Sequence, residues 1–121
     1  MVSLTKINDR EKSLLLQSRD AERSLIGSLL LDNLAWDRIS GQLITEDFFY
    51  TEHQCIFATI SELNRRQQAV DILTVTESLK KTGDLEKAGG EGLLYELANS
   101  TPSASNIESY LGIVKDRAIS R

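Results

Sequence analysis

A chain of 121 residues is one domain's worth of protein, enough for a single hydrophobic core and too short for a core plus a separate nucleotide-binding domain. Hydrophobic residues make up 40% and charged residues 26%, a balance that excludes disorder over most of the length. The net charge of −4 argues against a domain whose main work is gripping nucleic-acid phosphates, and the single cysteine, Cys55, excludes an internal disulfide.

Residues 1–19 show no sustained period and carry scattered charge, so they are expected to form a mobile tail. Met1 to Leu16 also lacks the apolar centre of a signal peptide, and no run approaches the roughly 20 apolar residues of a membrane span. A cytoplasmic protein without membrane contact follows. From Asp20 the pattern turns helical: Ala21, Leu25, Ile26, Leu29 and Leu30 make one apolar stripe, ended by Asp32-Asn33. Gly27 inside that stripe predicts close contact with another helix, because a helical glycine costs about 1 kcal/mol without a packing return. A short helix over Leu34–Gln42 turns Trp36, Ile39 and Leu43 inward.

Thr45 is placed to cap a turn holding Glu46 and Asp47. A third helix opens at Thr51, with Gln54 spaced for a capping box and Ile56, Ile60 and Leu63 as its core face. Gln67 to Asp71 links it to a fourth, started by Thr74 and Glu77 and stopped at Lys80-Lys81-Thr82-Gly83. Gly89-Gly90 precedes a fifth helix carrying Leu93, Leu94, Leu97 and Ala98, and Thr101-Pro102-Ser103 punctuates its end. Ile107, Leu111, Val114 and Ala118 are then spaced four, three and four apart, a heptad seam on a last helix from Ser103 to Arg121. That helix has no closing signal and reads as cut partway. The distal seam, Val114 to Arg121, is expected to be exposed or paired with another chain. No segment alternates as a strand. The fold class is all-α, a compact bundle of about six helices, with Trp36, Leu29, Ile56 and Leu97 buried together.

Catalytic patterns are missing. No glycine is followed by lysine, so no phosphate loop exists, and Gly89-Gly90-Glu91-Gly92 reads as a helix-helix turn whose glutamate would repel an anion. His53 and Cys55 point about 200° apart on a helix and cannot readily share a metal ion; the plain reading is an exposed histidine and a buried thiol. Glu46, Asp47 and Glu52 suit helix caps and a solvated face, and Arg65-Arg66 suits a negative helix end. No catalytic, cofactor-binding or metal-binding residue is assigned.

Several stretches, in order, resemble the N-terminal domain of bacterial replicative DNA helicases of the DnaB type. Asp20-Ala21-Glu22-Arg23-Ser24-Leu25-Ile26-Gly27 through Asp32 is similar to that family's opening motif. Asp47-Phe48-Phe49 with His53-Gln54-Cys55-Ile56-Phe57, then Val70-Asp71-Ile72-Leu73-Thr74-Val75, resemble its next blocks. Gly89-Gly90, Leu94-Tyr95-Glu96-Leu97, Thr101-Pro102-Ser103-Ala104 and Asn106-Ile107-Glu108-Ser109-Tyr110 continue the match. The family's prolines before the opening motif are replaced here by Leu15-Leu16.

The resemblance implies a helical head over residues 20–102 and, over 103–121, the first arm of a truncated helical hairpin. Hairpins pair between subunits into the collar of a hexamer, and the collar docks the C-terminal domain of the primase. ATP and Mg2+ belong to the motor domain of the full-length parent, an ATP-dependent helicase that meets single-stranded DNA only through the complete ring; this domain would catalyse nothing. Partner contacts are implied at Leu93, where the family places an aromatic, and along Ile107, Leu111, Val114 and Ala118. The competing reading is an independent helical DNA-binding regulator, against which the acidic charge counts.

Overall fold

Asn8 opens the first helix by accepting the backbone N–H of Glu11 on its side-chain oxygen at 2.7 Å, and Asp9 and Glu11 sit at the positive end of the helix. In the computed structural model, which describes residues 8–121, this helix (α1, Asp9–Leu31) runs unbroken to Asp32. Residues 9–19 are therefore helix and not a mobile tail; residues 1–7 of that expected tail lie outside the described residues. The early turns carry no apolar stripe, and residues 9–17 all stay exposed to solvent on part of their surface. A cap and a docked neighbour hold them helical.

After α1 the chain makes α2 (Ala35–Ile39), shorter than expected, and a 3₁₀ turn at Thr45–Asp47. Asp47, and not Thr45, closes that turn by accepting the N–H of Ile44 at 3.0 Å. Helix α3 (Thr51–Arg65) does begin at Thr51, but without a capping box: the Gln54 amide instead donates to the Phe48 carbonyl at 2.7 Å. Helix α4 (Ile72–Thr82) has its N-cap at Asp71, three residues before the predicted one at Thr74. Asp71 accepts the Thr74 N–H and the Thr74 hydroxyl accepts the Asp71 N–H, a reciprocal cap that leaves Thr74 inside the helix. Gly83 ends α4 in the left-handed conformation, as its sequence position predicts. Helix α5 (Gly90–Ser100), a 3₁₀ turn at Ala104–Asn106 capped by Ser103, and α6 (Ile107–Ser120) complete the all-α fold.

Helix α1 is the spine. It packs on α6, α5 and α3, while α4 braces α3 and α5, and α2 fills the space beside α6. One core cluster gathers Leu25, Ile26 and Leu29 of α1 with Ile56 and Ile60 of α3, Leu94 and Leu97 of α5, and Ile107 of α6. Leu29, Ile56 and Leu97 are buried as expected; Trp36 is half-buried, its ring 5.7 Å from that of Phe57. Gly27 lies where α1 crosses α5, so close that a Cβ there would overlap the Leu97 carbonyl and the Thr101 hydroxyl. The predicted close helix contact is present.

Candidate functional site

Glu22 on α1 and His53 on α3 meet in the interior, 1% and 2% exposed, with His53 Nδ1 and Glu22 Oε1 2.7 Å apart. The other carboxyl oxygen accepts the backbone N–H of Phe49 at 2.7 Å, and Oε1 also faces the Tyr50 N–H at 3.4 Å. Tyr50 closes the arrangement with its ring edge-on to the imidazole at 5.3 Å. Burial pushes the Tyr50 phenol up from its ordinary value; the Arg19 guanidinium, 5.9 Å from the ring centre, opposes that shift. One carboxyl group thus ties α1 to a single stretch 27 to 31 residues further on, the Phe49–Tyr50 loop and the start of α3. Because the pair is sealed from solvent, it can latch α1, the Phe49–Tyr50 loop and α3 together, but it offers a substrate no access.

The expected exposure of His53 and Cys55 is reversed. His53 is buried because α3 turns it toward Glu22, whereas Cys55 is only half-buried, its sulfur 3.9 Å from the Asp84 carbonyl. Burial, aided by the Asp84 carboxylate, pushes that thiol up. Glu22 stood in the sequence only as part of the opening motif, with no role assigned to it. A signal existed: it lies three and four residues before Leu25 and Ile26, on the stripe that must face the core, where a carboxyl needs a buried partner.

The partner-facing residues divide. Ile107 and Leu111 are buried within this chain, and so, against the expectation of an exposed distal seam, is Val114, to 1% exposure, whereas residues 119–121 are exposed. The cover is α1, which packs along α6, with Arg117 donating to the Gln17 side chain at 2.9 Å. Expecting a tail in place of that helix made the seam look bare. Ala118 and Leu93 remain half-buried, Leu93 folding over Gly89.

Gly89 and Gly90 both adopt left-handed angles to turn the chain into α5, and Glu91 follows in its first turn. The Glu91 carboxylate in that first turn would repel an anion, and among the described residues no three His, Cys, Asp or Glu side chains converge to hold a metal ion. Arg65 binds Glu62, whose carboxyl it holds below the usual range. Asp47 closes its turn, as described. No helix of the described residues is long and apolar enough to cross a membrane.

Residues 14–116 match the family model described as the DnaB-like helicase N-terminal domain. The chain belongs to this family. It is 38% identical over 104 residues, 86% of its length, to the replicative DNA helicase DnaB of Haemophilus influenzae, and 39% identical over 105 residues, 87% of its length, to that of Geobacillus stearothermophilus. The chain spans only 22% and 23% of those two relatives. Among solved structures, the N-terminal domain of DnaB helicase from Mycobacterium tuberculosis superposes with a TM-score of 0.80 at 33% identity, covering 84% of this chain and 73% of that one. A DnaB-like replicative helicase, from a study of its interactions with primase, gives 0.74 at 28% identity over 84% of this chain and 24% of that chain. The DnaB-like domain therefore accounts for the motif order, for the six helices and for a core that runs from α1 into α6.

Proposed function

We propose that this DnaB-like domain serves a replicative DNA helicase as an interaction module: it helps build the collar of a hexameric ring and docks the C-terminal domain of the primase, without catalysis of its own. The observation that carries the reading is the shared fold, a TM-score of 0.80 at 33% identity to the N-terminal domain of a DnaB helicase. A second supporting fact is that a structural neighbour is described with its interactions with primase. In this reading α6 leads into a helical hairpin that pairs between subunits, and Ala118 and Leu93 are the apolar residues left for partners. ATP hydrolysis, Mg2+ and translocation on single-stranded DNA belong to a motor outside this chain. The module works in the cytoplasm.

Two measurements test this together. Sedimentation should find the 121-residue protein monomeric or weakly dimeric at high concentration, with assembly strengthening once the chain is extended through the returning arm. Titration with the primase C-terminal domain of the same organism should show saturable binding that Leu93→Asp weakens. An extended protein that stays strictly monomeric and ignores primase overturns the proposal. Tight DNA binding by the domain alone, falling steeply with salt, would instead make it a DNA-binding regulator.

A further inference from the structure

An apolar groove of about 340 Å³ lies between the first half of α1, the end of α6 and the Phe49 loop. Leu14, Leu15 and Phe49 form its apolar surface, with Leu14 41% and Phe49 48% exposed, and Arg117 of α6 and Arg121 next to its last residue add two guanidinium groups. Leu16, Ile113 and Ile119 on the same two helix segments are exposed as well. Leu14, Leu15 and Phe49 thus set three exposed large hydrophobic side chains side by side in one groove, which marks an interaction surface. A second groove of about 380 Å³ between α1 and α6 also borders Arg117 and extends the same face.

The two arginines specify the sign of the partner. Arg23, Arg38 and Arg65 each bind a carboxylate. Arg117 reaches only the Gln17 amide oxygen, and its buried Nε–H has no hydrogen-bond partner among the described residues. Arg121 donates to the Asp47 carbonyl at 2.6 Å and lies over the Phe49 ring at 5.3 Å. Glu11 is the one carboxylate among the groove's lining residues, and neither arginine forms an ion pair with it. Two guanidinium groups without a carboxylate partner, set beside exposed leucines, suit a carboxylate carried on an apolar surface.

We propose that this groove docks an amphipathic, acidic helical segment of another protein, its apolar side chains resting on Leu14, Leu15 and Phe49 and its carboxylates meeting Arg117 and Arg121. A helix suits the site because the groove walls are helices and, among the described residues, no strand edge is available for an extended peptide. A second copy of this chain suits it poorly: two-fold pairing of the face with itself sets arginines against arginines.

The test is selection of phage-displayed random peptides of about four helical turns on the 121-residue protein, followed by anisotropy titration of the selected peptides. Enriched peptides should place Leu, Ile or Phe at helical spacing among Asp and Glu, and their affinity should fall with salt. Leu14→Ser and Arg117→Gln should each weaken binding about tenfold or more, with the helical spectrum unchanged for Leu14→Ser. Leu73→Ser, on an α4 surface outside the groove, should leave binding intact. A basic or uncharged consensus, no enrichment, or undiminished binding by Leu14→Ser overturns the inference. So does a self-association that Leu14→Ser abolishes, because the groove would then be the chain's own interface.

Discussion

Gly27 has no room for a methyl group. A Cβ at this position would overlap the Leu97 carbonyl, which belongs to helix backbone and cannot swing aside. Gly27→Ala should therefore lose about 1–3 kcal/mol despite the better helix propensity of alanine. Urea unfolding measures this, and a stability gain would show that the α1–α5 contact is looser than described. Glu22 poses the opposite problem, a polar group that the core cannot do without. Removing it in Glu22→Ala strands the imidazole of His53 in the interior and takes the partner from the part-buried N–H of Phe49. The expected cost is about 2–5 kcal/mol, read in the same denaturation experiment. A change below about 0.5 kcal/mol, the usual size for a surface substitution, would mean the latch is dispensable.

Two helices end by the same device with different residues. In α4, Asp84 N–H bonds the Leu79 carbonyl and Gly83 N–H bonds the Lys80 carbonyl, with glycine in the left-handed position. In α3, Gln68 N–H bonds the Leu63 carbonyl and Gln67 N–H bonds the Asn64 carbonyl, but the left-handed residue is Gln67, with φ 58°. A side chain in that conformation is strained, and Gln67 is exposed. Gln67→Gly should raise stability by about 0.5–1 kcal/mol, seen as a higher midpoint in chemical denaturation. No gain, or a loss, would mean that the unfolded chain's added freedom outweighs the relieved strain.

Because α1 touches α6, α5, α3 and α2, no subset of helices keeps its core when α1 leaves. Unfolding should accordingly be a single transition. Trp36, the only tryptophan, reports the α2–α3 contact with Phe57, while far-UV circular dichroism reports all six helices. The two urea curves should coincide; a separate earlier fluorescence transition would show that α2 melts independently. The same centrality explains why α6 is not a free arm over its described length. Its inward residues complete the core that α1 begins, and only its outward face and Ala118 remain for partners.

The sequence by itself determined what depends on neighbours within about one helical turn. The α1 stop at Asp32, the left-handed Gly83, the glycine pair before α5 and the inward faces of α3 and α5 follow from spacing and cap chemistry, and the order of the family motifs followed from the same string. Local rules were ambiguous where two caps competed, and Asp71 won over Thr74 because its side chain and the threonine hydroxyl satisfy each other. Tertiary structure alone decided the rest. Residues 9–19 carry no apolar period, so only the docking of α1 on α6, across a separation of 100 residues at Gln17 and Arg117, reveals what covers Val114. The burial of His53 likewise depends on a glutamate 31 residues away. Periodicity tells which side of a helix is apolar; it does not name the helix that will cover it, because that is settled by shape and by polar groups that must find each other across the core.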